Sequence, residues 1–162
     1  MPSLNRDPTN RRSKVSYTRP GVLVVIDTNI VVSSLLFRGR ASFAHRLWVE
    51  GQFDLAFSDA VLDEYRQVLG YPKFGRSGSD VEYLVSQELT PFGRTFKTRL
   101  PVGAWIPEDP DDDKFIALAL AAKSDFLVSG GAHILDRRHE LPCSVRSLAE
   151  FLELFELSGS FG

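Results

Sequence analysis

Val22-Leu23-Val24-Val25-Ile26-Asp27-Thr28-Asn29 is the stretch that decides the fold. Five consecutive apolar residues, four of them β-branched, precede an acid. A strand with one wet face alternates apolar and polar residues. An unbroken apolar run instead predicts a strand covered on both faces, as in a parallel sheet. A carboxylate has no place inside such a layer without a partner. Asp27 is therefore expected at the strand's carboxyl end, the edge where open α/β sheets bind their ligands.

Outward from this strand, Ile30–Phe37 reads as a short helix stopped near Gly39, and Ser42 as the cap of a second helix through Trp48 and Glu50. Phe53–Phe57 reads as a strand. Ser58 then caps a helix burying Val61, Leu62, Tyr65, Val68 and Leu69, broken at Gly70-Tyr71-Pro72. Residues 73–79 form a loop, Ser79 caps a helix running to about Leu89, and a strand falls somewhere in 94–106 despite Pro101 and Gly103. Glu108-Asp109-Pro110-Asp111-Asp112-Asp113 crowds acids into the first turn of a buried helix over 114–123, where the helix dipole favours negative charge. Phe126–Val128 is a strand, Val145 marks an edge strand, and Ser147 caps a last helix to about Phe155. Strands alternating with helices predict one α/β domain over residues 21–156 with a mostly parallel sheet.

The bulk numbers are those of an ordinary globular chain: 162 residues, 43% hydrophobic and 25% charged. A net charge of −2 exerts no global pull on nucleic acid, so any such binding rests on a local patch. Cys143 is the only cysteine, which excludes an intrachain disulfide and a Cys-based zinc site and fits a reducing cytoplasm. No apolar run is long enough to span a membrane. Residues 1–20 carry Arg6, Arg11, Arg12, Lys14 and Arg19 against Asp7 alone and read as a solvated, flexible basic leader. The second reading of that leader is an arm that touches phosphates. Residues 157–162 are expected to fray.

Three groups of acids are expected to approach one sheet edge. They are Asp27, the Asp59/Asp63/Glu64 group after the second strand, and the 109–113 run. Each alone has a plainer explanation as a turn former, a helix cap or a solvated helix residue. Together, converging carboxylates raise one another's pKa and disfavour the folded state unless a cation neutralises them. Magnesium or manganese suits such hard oxygen donors and assists phosphodiester hydrolysis.

Three segments, Val24–Leu36, Ser58–Leu69 and Asp109–Ala119, together resemble the PIN domain family, in particular its single-domain prokaryotic members regarded as toxins of toxin–antitoxin pairs. Asp125–Gly130 and Ser147–Leu152 extend the resemblance, which spans about residues 21–153. It implies a three-layer α/β/α sandwich and cleavage of RNA by a magnesium- or manganese-activated water. The family's acids fall on Asp27, Glu64 and Asp112, or on Asp113 if the alignment shifts by one. Asp27, Glu64, Asp112 and Asp113 are thus the implied metal ligands, with Asn29 and Ser129 supporting the pocket. The resemblance also implies a cognate antitoxin and self-association.

One departure matters. The family's fourth acid falls on Gly131, and neither His133 nor Asp136 is an obvious replacement. A missing carboxylate weakens a two-metal site most, so weak binding of a single ion is expected. The competing class is a PIN-like domain that binds RNA or a protein without cutting. A haloacid-dehalogenase-like reading needs an acid where Asn29 stands, a phosphate-loop reading needs a glycine-rich Lys-Ser/Thr motif, and a response-receiver reading needs an acid and lysine order that this chain does not have. Arg38, Arg40, Lys73, Arg76, Lys114, Arg137 and Arg138 are the candidates to rim the pocket for nucleic acid.

Overall fold

Five short strands are laid side by side in the order β3-β2-β1-β4-β5, every pair parallel. They are β1 (Leu23–Ile26), β2 (Asp54–Phe57), β3 (Gly93–Thr95), β4 (Phe126–Val128) and β5 (Val145–Arg146). The helices are α1 (Thr28–Leu36), α2 (Arg40–Val49), α3 (Asp59–Leu69), α4 (Gly78–Leu84), α5 (Asp113–Ala122), α6 (Ala132–Asp136) and α7 (Leu148–Leu157). The computed structural model describes residues 21–99 and 105–157. The leader expected over 1–20, Pro101, Gly103 and the terminus from 158 onward lie outside the described residues. The architecture is the three-layer α/β/α sandwich with a parallel central sheet.

All four residues of β1 are buried, as its unbroken apolar run predicts. Val24 pairs with Leu55 on one side and Phe126 on the other, so β1 is the middle strand. Chain order runs from β1 outward through β2 to β3, then returns to the opposite flank for β4 and β5. The direction of winding therefore reverses between β1 and β4, and a crevice opens at their carboxyl ends.

Several boundaries differ from expectation. Ser42 lies inside α2 and its hydroxyl donates back to the Gly39 carbonyl at 2.6 Å; the N-cap is Gly39 at φ 116°, a backbone state that favours glycine. The cap of α4 is Ser77 rather than Ser79, in a capping box with Asp80. Residues Val85–Leu89 continue α4 as a wider π turn. The strand expected in 94–106 is β3, which begins one residue ahead of that window, at Gly93. Gly93 is required there, because a Cβ would stand 2.1 Å from the Leu55 carbonyl oxygen. The last helix continues to Leu157, and Phe53, Phe151 and Phe155 pack edge to face to fasten it beside the sheet.

Candidate functional site

The crevice between β1 and β4 is built around Asp27, which is only 7% exposed. One carboxylate oxygen accepts the Ile30 N–H at 3.1 Å and so caps α1. The other accepts the Ser129 hydroxyl at 2.7 Å and the Gly130 N–H at 2.9 Å, both from the turn after β4. Asp27 thus joins the two strand ends across the switch point. Burial raises its pKa above the ordinary aspartate value; the bonds from Ser129, Gly130 and Ile30 oppose that rise, and the nearby charge of Glu64 adds to it.

Glu64 comes from α3. Its carboxylate accepts from the Thr28 hydroxyl and pairs with the Lys114 ammonium. The next residue, Tyr65, turns into the core and donates to the Ile26 carbonyl. That contact fixes α3 against the end of β1 and sets the height of Glu64 beside Asp27.

Asp112 stands half-buried at the N-cap of α5 but makes no side-chain capping bond. Burial is the largest cause that lifts its pKa to about 6, followed by the charges of Asp109, Asp27 and Glu64, while His133 opposes the rise. Asp27, Glu64 and Asp112 therefore lie within one another's fields, although 37 and 48 residues separate them in sequence. Asp113 is placed otherwise. It is 1% exposed and its carboxylate accepts the Ile106 N–H at 2.9 Å, which anchors the chain entering the acidic turn. One Asp113 carboxylate oxygen is thus engaged with the backbone, whereas Asp112 makes no such bond.

The remaining candidates divide the same way. Ser129 is fully buried and its hydroxyl donates to Asp27. Asn29 is exposed on the first turn of α1, and its neighbour Thr28 makes the contact to Glu64 instead. Asp59 and Asp63 face solvent, Asp63 beside Arg66 at 3.5 Å. Gly131 leaves open space: a Cβ would meet only the Ser129 hydroxyl, at 3.5 Å. Asp136 is exposed. His133 is exposed on α6, yet close enough for its charge to act on Asp112.

Thr28 and Gly130 have roles that the sequence reading did not assign, while Asp109, one of the acids of the expected 109–113 run, adds its charge to Asp112. Thr28 follows Asp27 directly, so the first turn of α1 was the available signal for it. Gly130 acts through its backbone N–H, which no side-chain motif advertises. Among the described residues no three acidic, imidazole or thiol groups form a ready-made cation cage, since Glu64 leans toward Lys114 and Thr28. The donor chemistry nevertheless fits a hard divalent cation. The charge of Asp27 raises the pKa of Asp112 and the charge of Glu64 raises both, which is the condition a cation relieves.

The PIN domain family profile matches residues 23–133, more than half of the chain. The chain belongs to the PIN domain family. Two solved structures support the fold of this PIN domain. VapBC2 from Rickettsia felis, bound to a DNA fragment from their promoter, is 15% identical with a TM-score of 0.52, covering 78% of this chain and 98% of that one. FitAcB from Neisseria gonorrhoeae is 14% identical with a TM-score of 0.52, covering 77% of this chain and 97% of that one. No curated protein sequence matches the chain. The family match takes in Asp27, Glu64, Asp112 and Gly131, so the departure at the fourth acid lies inside the shared domain.

Proposed function

We propose that this PIN domain is a magnesium- or manganese-dependent endoribonuclease and the toxin of a toxin–antitoxin pair. The observation that carries the reading is the meeting of Asp27, Glu64 and Asp112, from three separate elements, at the switch point of a parallel sheet. These three residues would hold the cation; in the bound state it neutralises their repulsion, lowers the pKa of a water and stabilises charge on a phosphodiester. The Ser129 hydroxyl and the Gly130 N–H oppose the rise that burial gives the Asp27 pKa and aim its carboxylate into the crevice. Thr28 and Lys114 hold Glu64, and the Lys114 ammonium offers a donor to a phosphate oxygen at the same mouth. Asp113 contributes by fixing the turn that carries Asp112.

The toxin assignment is consistent with the VapBC2 and FitAcB folds and brings with it a cognate antitoxin and a cytoplasmic setting. No helix among the described residues is long and apolar enough to cross a membrane. Self-association belongs to the same proposal. The second reading is a domain that binds RNA or a protein partner without cutting, and Gly131 favours it by removing a carboxylate. Incubating the purified chain with single-stranded RNA and manganese separates the two. Cleavage that disappears with chelator and in Asp27→Asn is the result expected of the nuclease. RNA retained uncut at every manganese concentration is the result expected of the binding domain.

A further inference from the structure

Seven basic residues were candidates to rim the pocket, and the structure sorts them. Lys114 is engaged by Glu64, Arg137 by Glu108 and Glu140, and Arg138 by Glu150 at 2.6 Å. Arg38, Arg40, Lys73 and Arg76 form no ion pair among the described residues, and all four are exposed. Lys73 and Arg76 lie in the turn after α3, which faces the end of α1 and the turn that follows it; Arg38 and Arg40 line a different cavity, with Glu153 and Glu156 in its wall.

Between these turns lies a cavity of about 520 Å³ lined by Leu36, Phe37, Lys73, Phe74 and Arg76, with no acid in its wall. Phe37 is 53% exposed, an unusual place for a large apolar ring. It meets Phe74 edge to face, with ring centroids 5.9 Å apart and planes at 61°, so the pair is braced while Phe37 stays more than half exposed. The Lys73 ammonium lies 5.3 Å from the centre of the Phe74 ring. Arg76 faces no acid more closely than Asp80, whose lowered pKa owes more to the Ser77 cap than to Arg76. An exposed aromatic ring flanked by cations without ion-pair partners is the chemistry that binds single-stranded nucleic acid, base on ring and phosphate on cation.

The position relative to the acids supports this occupant. Asp27 caps one end of α1 and Phe37 closes the other. At 1.5 Å per residue the ten-residue separation is about 15 Å. A single strand of a few nucleotides spans that distance.

We infer that the Phe37/Phe74/Lys73/Arg76 cavity is a subsite for single-stranded RNA, stacking a base on Phe37 a few nucleotides from the bond held at Asp27. The inference rests on the ribonuclease reading but is tested apart from it. Binding of fluorescein-labelled oligouridine to the full chain is measured by anisotropy in chelator, so nothing is cut. Phe37→Ala is expected to weaken binding at least fivefold, and Phe37→Trp to retain or tighten it. The Lys73→Gln/Arg76→Gln double variant is expected to weaken binding and to flatten the slope of log affinity against log salt by about 1.4, the value for two lost phosphate contacts on a single strand. Affinities within twofold of wild type in all three variants overturn the subsite, and a protein partner or second copy released by the same substitutions would then be its occupant. A wild-type chain that binds no oligouridine also overturns it, while metal-dependent cleavage, assayed separately, remains free to succeed or fail.

Discussion

Asp27 is both a helix cap and an acid of the candidate site, and the two roles share one side chain. The plain reading and the functional reading of that residue therefore never competed, which is why it was legible from the strand that precedes it. Gly131 is the opposite case, a residue defined by what it lacks. Because only the Ser129 hydroxyl approaches its missing Cβ, Gly131→Asp is accommodated without moving the backbone. Isothermal titration is expected to show manganese affinity raised about tenfold in that variant, a gain of about 1.4 kcal/mol; unchanged affinity would show that the fourth position does not reach the ion. Asp112 and Asp113 could not be told apart in sequence, since neighbouring acids at a helix start look alike. They are separated by Ile106, whose buried N–H claims Asp113. Asp113→Ala leaves that donor unpaired and is expected to lose about 1–3 kcal/mol in urea unfolding, whereas Asp112→Ala is not.

At the level of elements, the helices with a serine directly before an apolar repeat were read correctly. Ser58 accepts the Val61 N–H and Ser147 the Glu150 N–H. Ser42 and Ser79 misled because a serine two residues into a helix has the same neighbours in sequence as one that starts it. For α4 the reciprocal Ser77–Asp80 spacing was present and decides the start. The edge strand β3 was hard to place because it is three residues long and only its first residue is partly buried beside β2. Its position rests on the close approach of Gly93 to Leu55, a constraint invisible without the neighbouring strand. Gly93→Ala forces β3 away from β2 and is expected to destabilise the chain by about 1–3 kcal/mol, measured by thermal or urea unfolding. An unfolding midpoint equal to wild type would mean that β3 is not anchored to β2 as described.

Across the whole molecule, the parallel α/β class followed from the alternation of strands and helices and the three layers from the resemblance to the PIN family, but the sheet order followed from neither. The reversal between β1 and β4 brings residues 27, 64 and 112 to one crevice, and their electrostatic coupling gives the molecule a pH signature. Asp112 binds its proton more tightly when folded, at about 6 against a reference of 3.8. In that window the folded state holds more protons than the unfolded one, so its contribution favours folding at low pH and is lost as pH rises from about 4 to about 6. Asp27 acts in the same direction, while Glu108 and Glu150, held down by Arg137 and Arg138, act in the opposite direction at lower pH. In the metal-free chain, the unfolding temperature of wild type relative to Asp112→Asn is therefore expected to fall between pH 4 and pH 6 and to level off above. A difference that stays constant with pH would contradict the coupling. The claim on which everything else depends is that Asp27, Glu64 and Asp112 hold a divalent cation. Manganese titration followed by electron paramagnetic resonance at neutral pH tests it most directly. Binding in wild type, retained in Asp113→Asn and lost in Asp27→Asn and Asp112→Asn, is the expected result. Equal binding in all four proteins, or binding in none, would contradict it.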